Sequence, residues 1–140
     1  MRSRTLAREM ALQLLYEHDA TSELAQERVD AFLSERATEP ETQNYARILV
    51  AGVIERRSEF DGIIERVAEH WAINRMPVVD RNVLRVGAYE LLYNPDVPAK
   101  VVINEAVELA KRFGSADSGR FVNAILDRIH KERTGPGTEQ

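Results

Sequence analysis

Apolar residues recur every three or four positions along most of this chain, the spacing that places them on one side of an α-helix. The clearest case is residues 98–132, where two apolar stripes are separated by a short turn of small and polar residues. The first stripe is Ile103, Ala106, Val107, Ala110 and Phe113, and the second is Phe121, Val122, Ile125, Leu126 and Ile129. The pattern predicts two helices joined by a tight turn, with both stripes facing a common core.

Proline and glycine mark the ends of these helices. Pro98 fits a first helical turn because its missing N–H would have no intrahelical partner there. Gly114 is the residue type that most easily takes the left-handed conformation past a helix end. The same signals predict five earlier helices, over about residues 3–18, 23–35, 40–56, 58–71 and 77–93. Strand-like alternation and internal repeats are absent from the sequence, so the predicted fold class is all-α with about seven helices.

A few positions within these helices carry more specific expectations. Leu12 falls off the apolar stripe of the first helix, and Gly52 is expected where another part of the backbone comes close. Gly119 accommodates either a ligand or a neighbouring helix, and the helix is the favoured interpretation. The fourth helix carries an apolar stripe made of Phe60, Ile63, Ile64, Val67 and Trp71.

The composition is that of one globular domain. The chain has 140 residues, 44% of them hydrophobic, and no cysteine, which excludes a disulfide scaffold and a thiolate zinc site. No apolar run approaches the roughly 18 residues needed to cross a bilayer. Arg8 and Glu9 interrupt what would be the apolar region of a signal peptide, so the expected location is the cytoplasm. Residues 133–140 lack apolar side chains and are expected to form a disordered tail.

Charge is unevenly distributed along the chain. The net charge of −4 argues against a protein that coats nucleic acid non-specifically. Residues 1–8 nevertheless contain Arg2, Arg4 and Arg8 and no acid, whereas residues 17–41 contain eight acidic residues. The distribution predicts a basic N-terminal edge beside an acidic flank, although helical surfaces also scatter charge in this way by chance.

The sequence offers little catalytic chemistry. The three histidines lack the several ligand pairs that a metal-binding helical bundle needs. A phosphate-cradling glycine loop and a nucleophile elbow are both missing from the sequence. The expectation is therefore a binding protein that is not an enzyme and needs no cofactor or metal.

The first helix is the main candidate for a binding surface. Arg4 and Arg8 are four residues apart and share a helical face, and Gln13 and Tyr16 continue that side obliquely. Arginine forks grip phosphates, while glutamine and tyrosine bond to or stack on unpaired bases. Tyr16 is equally well explained as a half-buried core tyrosine.

The stretch VLRVGAYELLYNPDVPAKVVINEAVELAKRFG, followed by GRFVNAILD, resembles the most characteristic segment of the NusB family of bacterial antitermination proteins. The resemblance covers nearly the whole chain and implies a single domain over 1–132, built from packed helical subdomains at about 1–57 and 58–132. It also implies recognition of a single-stranded boxA-type leader RNA together with the ribosomal protein NusE. The further implied partner is the RNA polymerase elongation complex, notably on ribosomal RNA operons.

The resemblance also assigns roles to individual residues. Arg2, Arg4 and Arg8 match the arginine-rich N-terminal segment of the family, and Gln13, Tyr16, Asp117 and Phe121 match positions that face the RNA. Asp80 matches an acidic position used against NusE. The structural alternatives are a helix N-cap for Asp117, a core position for Phe121 and a favourable helix-terminus charge for Asp80.

Two other functions stay open at the level of sequence. The first is a helical protein-interaction adaptor or homodimer that does not bind RNA. The second arises because a related helical domain precedes the catalytic domain of ribosomal RNA cytosine methyltransferases. A chain of 140 residues leaves no room for a nucleotide-cofactor fold, so methylation is not expected.

Overall fold

The computed structural model describes residues 2–134, with side chains from 3 to 133. Within that range the chain forms seven α-helices and one short 3₁₀ turn, Ile73–Arg75, and no strand, which confirms the predicted all-α class. The helices are α1 (Arg2–Thr21), α2 (Gln26–Arg36), α3 (Pro40–Glu55), α4 (Arg57–Val67), α5 (Val78–Tyr93), α6 (Ala99–Phe113) and α7 (Ser118–Thr134). None of these helices is long and apolar enough to cross a membrane.

Several predicted boundaries differ from the structure. α4 ends at Val67, short of Trp71, because Glu69 and His70 take left-handed φ angles of 59° and 70°. α1 continues past residue 18, and α2 begins later than residue 23. Residues 133 and 134 belong to α7 and are not part of a tail, and the rest of the predicted tail, 135–140, lies outside the described residues.

Gly114 ends α6 in a different way from the one predicted. Its φ is −104°, outside the left-handed region. A Cβ at this position would lie 2.5 Å from Ser118 Oγ and 2.8 Å from the carbonyl oxygen of Ala110. The residue is therefore small because the start of α7 folds back against the end of α6.

The buried apolar side chains form two clusters that meet at α5. The first joins α1, α2 and α3 and includes Val86 from α5, and the second joins α4 to α7. Leu12 is the residue by which α1 enters the second cluster, which explains why it falls off the main stripe of its helix. The predicted subdomain boundary near residue 57 stays a prediction, because α5 contributes to both clusters.

An ion-pair cluster at the carboxyl end of α1 fixes that helix to α4 and α5. Asp19 accepts hydrogen bonds from Arg81 Nε at 2.8 Å, Asn82 Nδ2 at 2.9 Å, and Arg57 and Arg85 at 3.2 Å. Burial alone would raise the pKa of Asp19, but the bonds from Arg81 and Asn82 and the nearby arginine charges lower it below its usual value.

Gly52 is small because the ring of Tyr89 lies against it. A Cβ at Gly52 would be 2.3 Å from Tyr89 Cε1. The close approach therefore comes from a side chain, which corrects the prediction that another part of the backbone comes close. The ring has little room to move, because it packs edge-on to Phe60 and stacks on Tyr93.

We expect Gly52→Ala to lower the free energy of unfolding by about 1–3 kcal/mol, the usual cost of overpacking. Gly62→Ala is the matched control, since nothing lies within 4 Å of its Cβ position. That variant should gain up to about 1 kcal/mol, because alanine favours a helix over glycine. Urea unfolding measures both, and equal effects of the two substitutions would contradict the packing role of Gly52.

The ion pairs of Asp19 should make the free energy of unfolding sensitive to acid. Its pKa is lower in the folded chain than in the unfolded chain, so its contribution is complete above the ordinary value of 3.8 and is lost as pH falls below it. Unfolding free energies measured from about pH 6 to pH 3 should decline less steeply in Asp19→Asn than in the unmodified chain. Asp96→Asn, an exposed carboxyl that forms no ion pair with any described residue, should keep the original decline. An unchanged pH dependence in Asp19→Asn would show that this cluster does not stabilise the fold.

Candidate nucleic-acid interface

Arg8 is buried, so the structure does not support its predicted role as a phosphate contact. Its side chain is 1% exposed, and its Nε and Nη2 donate to the two carboxylate oxygens of Glu90, each at 2.9 Å. A third bond of 3.3 Å joins Nη1 to Glu105. Because of the rotation of α1 about its axis, Arg8 faces the contact of α1 with α5 and α6. Its charge is therefore neutralised inside the protein.

Glu90 is the centre of this buried network. Tyr45 of α3 donates its hydroxyl hydrogen to Glu90, and Asn94 Nδ2 donates to the Tyr45 oxygen at 2.8 Å. Burial, together with the hydrogen bond and charge of Glu90, raises the pKa of Tyr45 far above its usual range. The network joins α1, α3 and α5 with the segment that follows α5. Residue spacing carries no signal for it, because its members are far apart in the sequence.

Arg4 lies on the α3 side of α1 and is partly exposed. Its Cζ is 4.5 Å from the ring centroid of Tyr45, a cation–π contact. Arg2 is part of α1, but its side chain lies outside the described residues. The basic edge predicted for Arg2, Arg4 and Arg8 is therefore not a set of three equivalent charges.

Gln13 and Tyr16 are both exposed, on a different side of α1 from Arg4. At about 100° of rotation per residue, Gln13 lies roughly opposite Arg4 around the helix axis. Tyr16 is 51% exposed and is not a half-buried core tyrosine. The two side chains border a shallow depression together with Leu12, Val79 and Phe113. Gln13 Oε1 also accepts a hydrogen bond of 3.0 Å from Arg36.

Asp80 is also buried, so the structure does not support it as a direct partner contact. It is 4% exposed and accepts a hydrogen bond of 2.6 Å from the hydroxyl of Ser118. The same Ser118 oxygen accepts from the backbone N–H of Ser115 at 2.9 Å. Asp80 thus ties the first turn of α5 to the first turn of α7 and holds the intervening turn in place.

Asp117 and Phe121 flank this tie. Asp117 is exposed immediately before α7. Phe121 is half-buried against the second cluster and contacts Trp71, with ring centroids 5.1 Å apart and an interplanar angle of 67°. Gly119 packs against α6, since a Cβ there would lie 3.0 Å from Lys111 Cγ, which confirms the helix-packing interpretation.

Two pairs of rings lie beside the helices that this turn joins: Tyr16 and Phe113 border the depression next to α6, and Trp71 contacts Phe121 of α7. We call these four rings the aromatic surface. Phe113 and Trp71 are 39% and 43% exposed, although helical spacing assigned both to apolar stripes. Exposed cations occur in the elements that carry or adjoin these rings, namely Arg75, Lys111 and Arg120. None of the three forms an ion pair with another residue in the described part of the chain. Aromatic rings interleaved with free cations suit a single-stranded nucleic acid.

The sequence and the fold are both similar to those of NusB proteins. The NusB family model matches residues 5–131. A transcription antitermination protein NusB from Sorangium cellulosum is 46% identical over 129 residues, which cover 92% of each chain. A solved NusB structure from T. maritima is 39% identical, with a TM-score of 0.83 over 96% of this chain and 95% of that one. A crystal structure of the antitermination factors NusB and NusE in complex with dsRNA is 32% identical, with a TM-score of 0.85 over 94% and 98%.

The fold and these relatives define an all-helical regulatory protein that acts by binding and not by catalysis. The chain belongs to the NusB family of transcription antitermination proteins. The resemblance that its motifs indicate is thereby confirmed.

The buried position of Arg8 gives a direct test. Arg8→Ala should lower the free energy of unfolding by roughly 3–5 kcal/mol, because it leaves the buried charge of Glu90 without its partner. Arg4→Ala removes a partly exposed cation–π contact and should cost about 0.5–1 kcal/mol. The double variant Arg8→Met, Glu90→Leu should recover part of the loss, since no unpaired charge remains. If Arg8→Ala were no more costly than Arg4→Ala, Arg8 would not have the structural role described above.

Proposed function

We propose that this protein binds a single-stranded boxA-type RNA jointly with NusE and acts through that complex on elongating RNA polymerase, notably on ribosomal RNA operons. The observation that carries the proposal is the aromatic surface beside α6 and α7, on a chain whose net charge is −4. Further support for NusE and RNA as the two partners comes from the similar structure of NusB and NusE in complex with dsRNA. The activity places the protein in the cytoplasm.

The aromatic surface suits unpaired bases. Stacking of a base on an aromatic side chain contributes about 1–3 kcal/mol and requires a base that is not already stacked in a duplex. Asp117 is exposed beside Phe121 and can accept hydrogen bonds from the amino groups of bases. Gln13 can donate to and accept from base edges. These two residues supply discrimination between bases, which the rings alone do not.

The charge balance explains why a partner is needed. Arg8 is neutralised by Glu90, and Arg112 is paired with Glu9, so neither is free to hold a phosphate. Arg75, Lys111 and Arg120 are among the exposed cations without an ion pair to a described residue, and they offset part of the repulsion expected from a net charge of −4. A basic partner such as NusE raises the affinity by holding the same RNA at a second surface, which converts two weak contacts into one stronger binding event.

Asp80 has an indirect role in this proposal. It holds Ser118 and therefore the position of Asp117 and the first turn of α7. Asp80→Ala is consequently expected to weaken RNA binding as well as any contact with NusE. If the variant loses NusE binding but keeps RNA binding, Asp80 contacts NusE directly, as the family resemblance implies.

The proposal is tested by fluorescence anisotropy with a labelled single-stranded boxA RNA, with and without NusE. We expect tighter binding with NusE present, and weaker binding to the same RNA annealed to its complement. Tyr16→Ala and Phe113→Ala should each weaken the complex roughly five-fold or more, the effect of losing one stacked base. Ile48→Ala is the control, because Ile48 is 47% exposed but belongs to α3, away from the aromatic surface.

Two results would contradict the proposed function or its site. If single-stranded RNA does not bind with NusE present, the protein-interaction adaptor or homodimer becomes the better description, and solution mass separates those two. If binding occurs but Ile48→Ala weakens it as much as Tyr16→Ala, the RNA site lies elsewhere on the protein. Action on polymerase is measured separately, as read-through of a terminator placed downstream of boxA during transcription in vitro.

A further inference from the structure

Trp71 occupies a position that its sequence pattern does not predict. Helical spacing places it four residues after Val67, on the stripe that faces the core. The two residues immediately before it, Glu69 and His70, are non-glycine residues with φ angles of 59° and 70°. Non-glycine residues in this conformation are strained, and they persist only where the surrounding structure imposes it.

Hydrogen bonds fix this segment in place. The backbone N–H of His70 donates to the carbonyl of Glu65 at 2.7 Å, and the side chain of Glu65 accepts from the backbone N–H of Ile73, also at 2.7 Å. The carbonyl of Ala68 accepts from the N–H of Trp71 at 3.3 Å. The tryptophan is therefore presented by a closed turn whose backbone is bonded on both sides of the ring.

The turn leaves a large apolar ring facing solvent. Trp71 is 43% exposed, and its indole N–H forms no hydrogen bond with any described residue. The contact with Phe121 is edge-to-face and cannot cover both faces of the indole. Had α4 continued by one more turn, the ring would lie on the stripe of Ile64 and Val67, which are fully buried. A strained turn that keeps this ring out of the core points to a ligand for it.

We propose that Trp71 stacks on a base of the bound RNA, next to the base that contacts Phe121. The proposal rests on the proposed function and assigns a base to one particular ring of the aromatic surface, in the segment that joins α4 to α5. Arg75, exposed four residues later and without an ion pair to a described residue, lies in the same segment and is available for the adjoining phosphate. Because every base has a π-face, this contact adds affinity without selecting a sequence.

The chain offers a direct probe, since Trp71 is its only tryptophan. Selective excitation of indole, with the emission of NusE subtracted, reports on this residue during titration with single-stranded RNA. Base stacking should quench the emission and saturate at the stoichiometry measured by anisotropy of labelled RNA. This measurement uses the unmodified protein and does not depend on how any variant folds.

Three variants separate stacking from packing. Trp71→Leu keeps apolar cover on Phe121 but has no π-face, and it should weaken RNA binding roughly five-fold or more, as should Trp71→Ala. Trp71→Phe retains a ring and should restore most of the affinity. Melting temperatures show whether a loss of affinity comes from unfolding.

The outcomes are distinguishable from one another. Quenching by RNA, with loss of affinity in Trp71→Leu and recovery in Trp71→Phe, supports the proposal. RNA binding with unchanged emission and full affinity in Trp71→Leu overturns it and leaves the proposed function intact. An emission change produced by NusE alone, with none added by RNA, makes Trp71 a protein contact and also overturns it. Absence of RNA binding by the unmodified protein overturns the proposed function and this inference together.

Discussion

The buried pair of Arg8 and Glu90 is the interaction on which the arrangement of helices depends. Both side chains are 1% exposed, so their charges are removed from water and are stabilised only by each other and by neighbouring polar groups. Tyr45 supplies one such group from α3, and Glu105 supplies another from α6. Because the pair sits where α1 meets α5, it sets the rotation of α1 about its own axis. That rotation in turn decides which residues of α1 reach the surface.

A second buried polar contact positions other residues of the aromatic surface. Asp80 and Ser118 bring the beginnings of α5 and α7 together, so that Val79 borders the depression beside Tyr16 and Phe113 while Asp117 stays exposed. The buried charges thus determine where the rings lie, and the rings remain available for a ligand. The main consequence is electrostatic: Arg8, which looks suited to phosphate in the sequence, is neutralised inside the protein. The proposed RNA binding therefore relies on stacking and on a partner.

Periodicity predicted the seven helices correctly because burial of an apolar stripe is a local property of the chain. Spacing suggested an exposed Arg8, and the family resemblance suggested a partner contact for Asp80. Neither reveals the burial of these residues, because it depends on partners 82 and 38 residues away. Trp71 was assigned to the core for a related reason. Its spacing is helical, but the helix stops at Val67, and left-handed Glu69 and His70 have no sequence signature comparable to glycine. Tyr16, Gln13, Asp117 and Phe121 were identified through family resemblance. The structure places Gln13 and Tyr16 at one depression, and Asp117 and Phe121 at the start of α7.

In the proposed complex, RNA lies on the aromatic surface and not along the arginines of α1. Photo-crosslinking tests it most directly, with 4-thiouridine placed in turn at each position of a single-stranded boxA RNA in the complex with NusE. Mass spectrometry of the crosslinked peptides should find adducts in the peptides that contain Tyr16, Trp71, Phe113 and Phe121. Adducts confined to the first turns of α1 and to the part of α3 around Tyr45 would contradict the account.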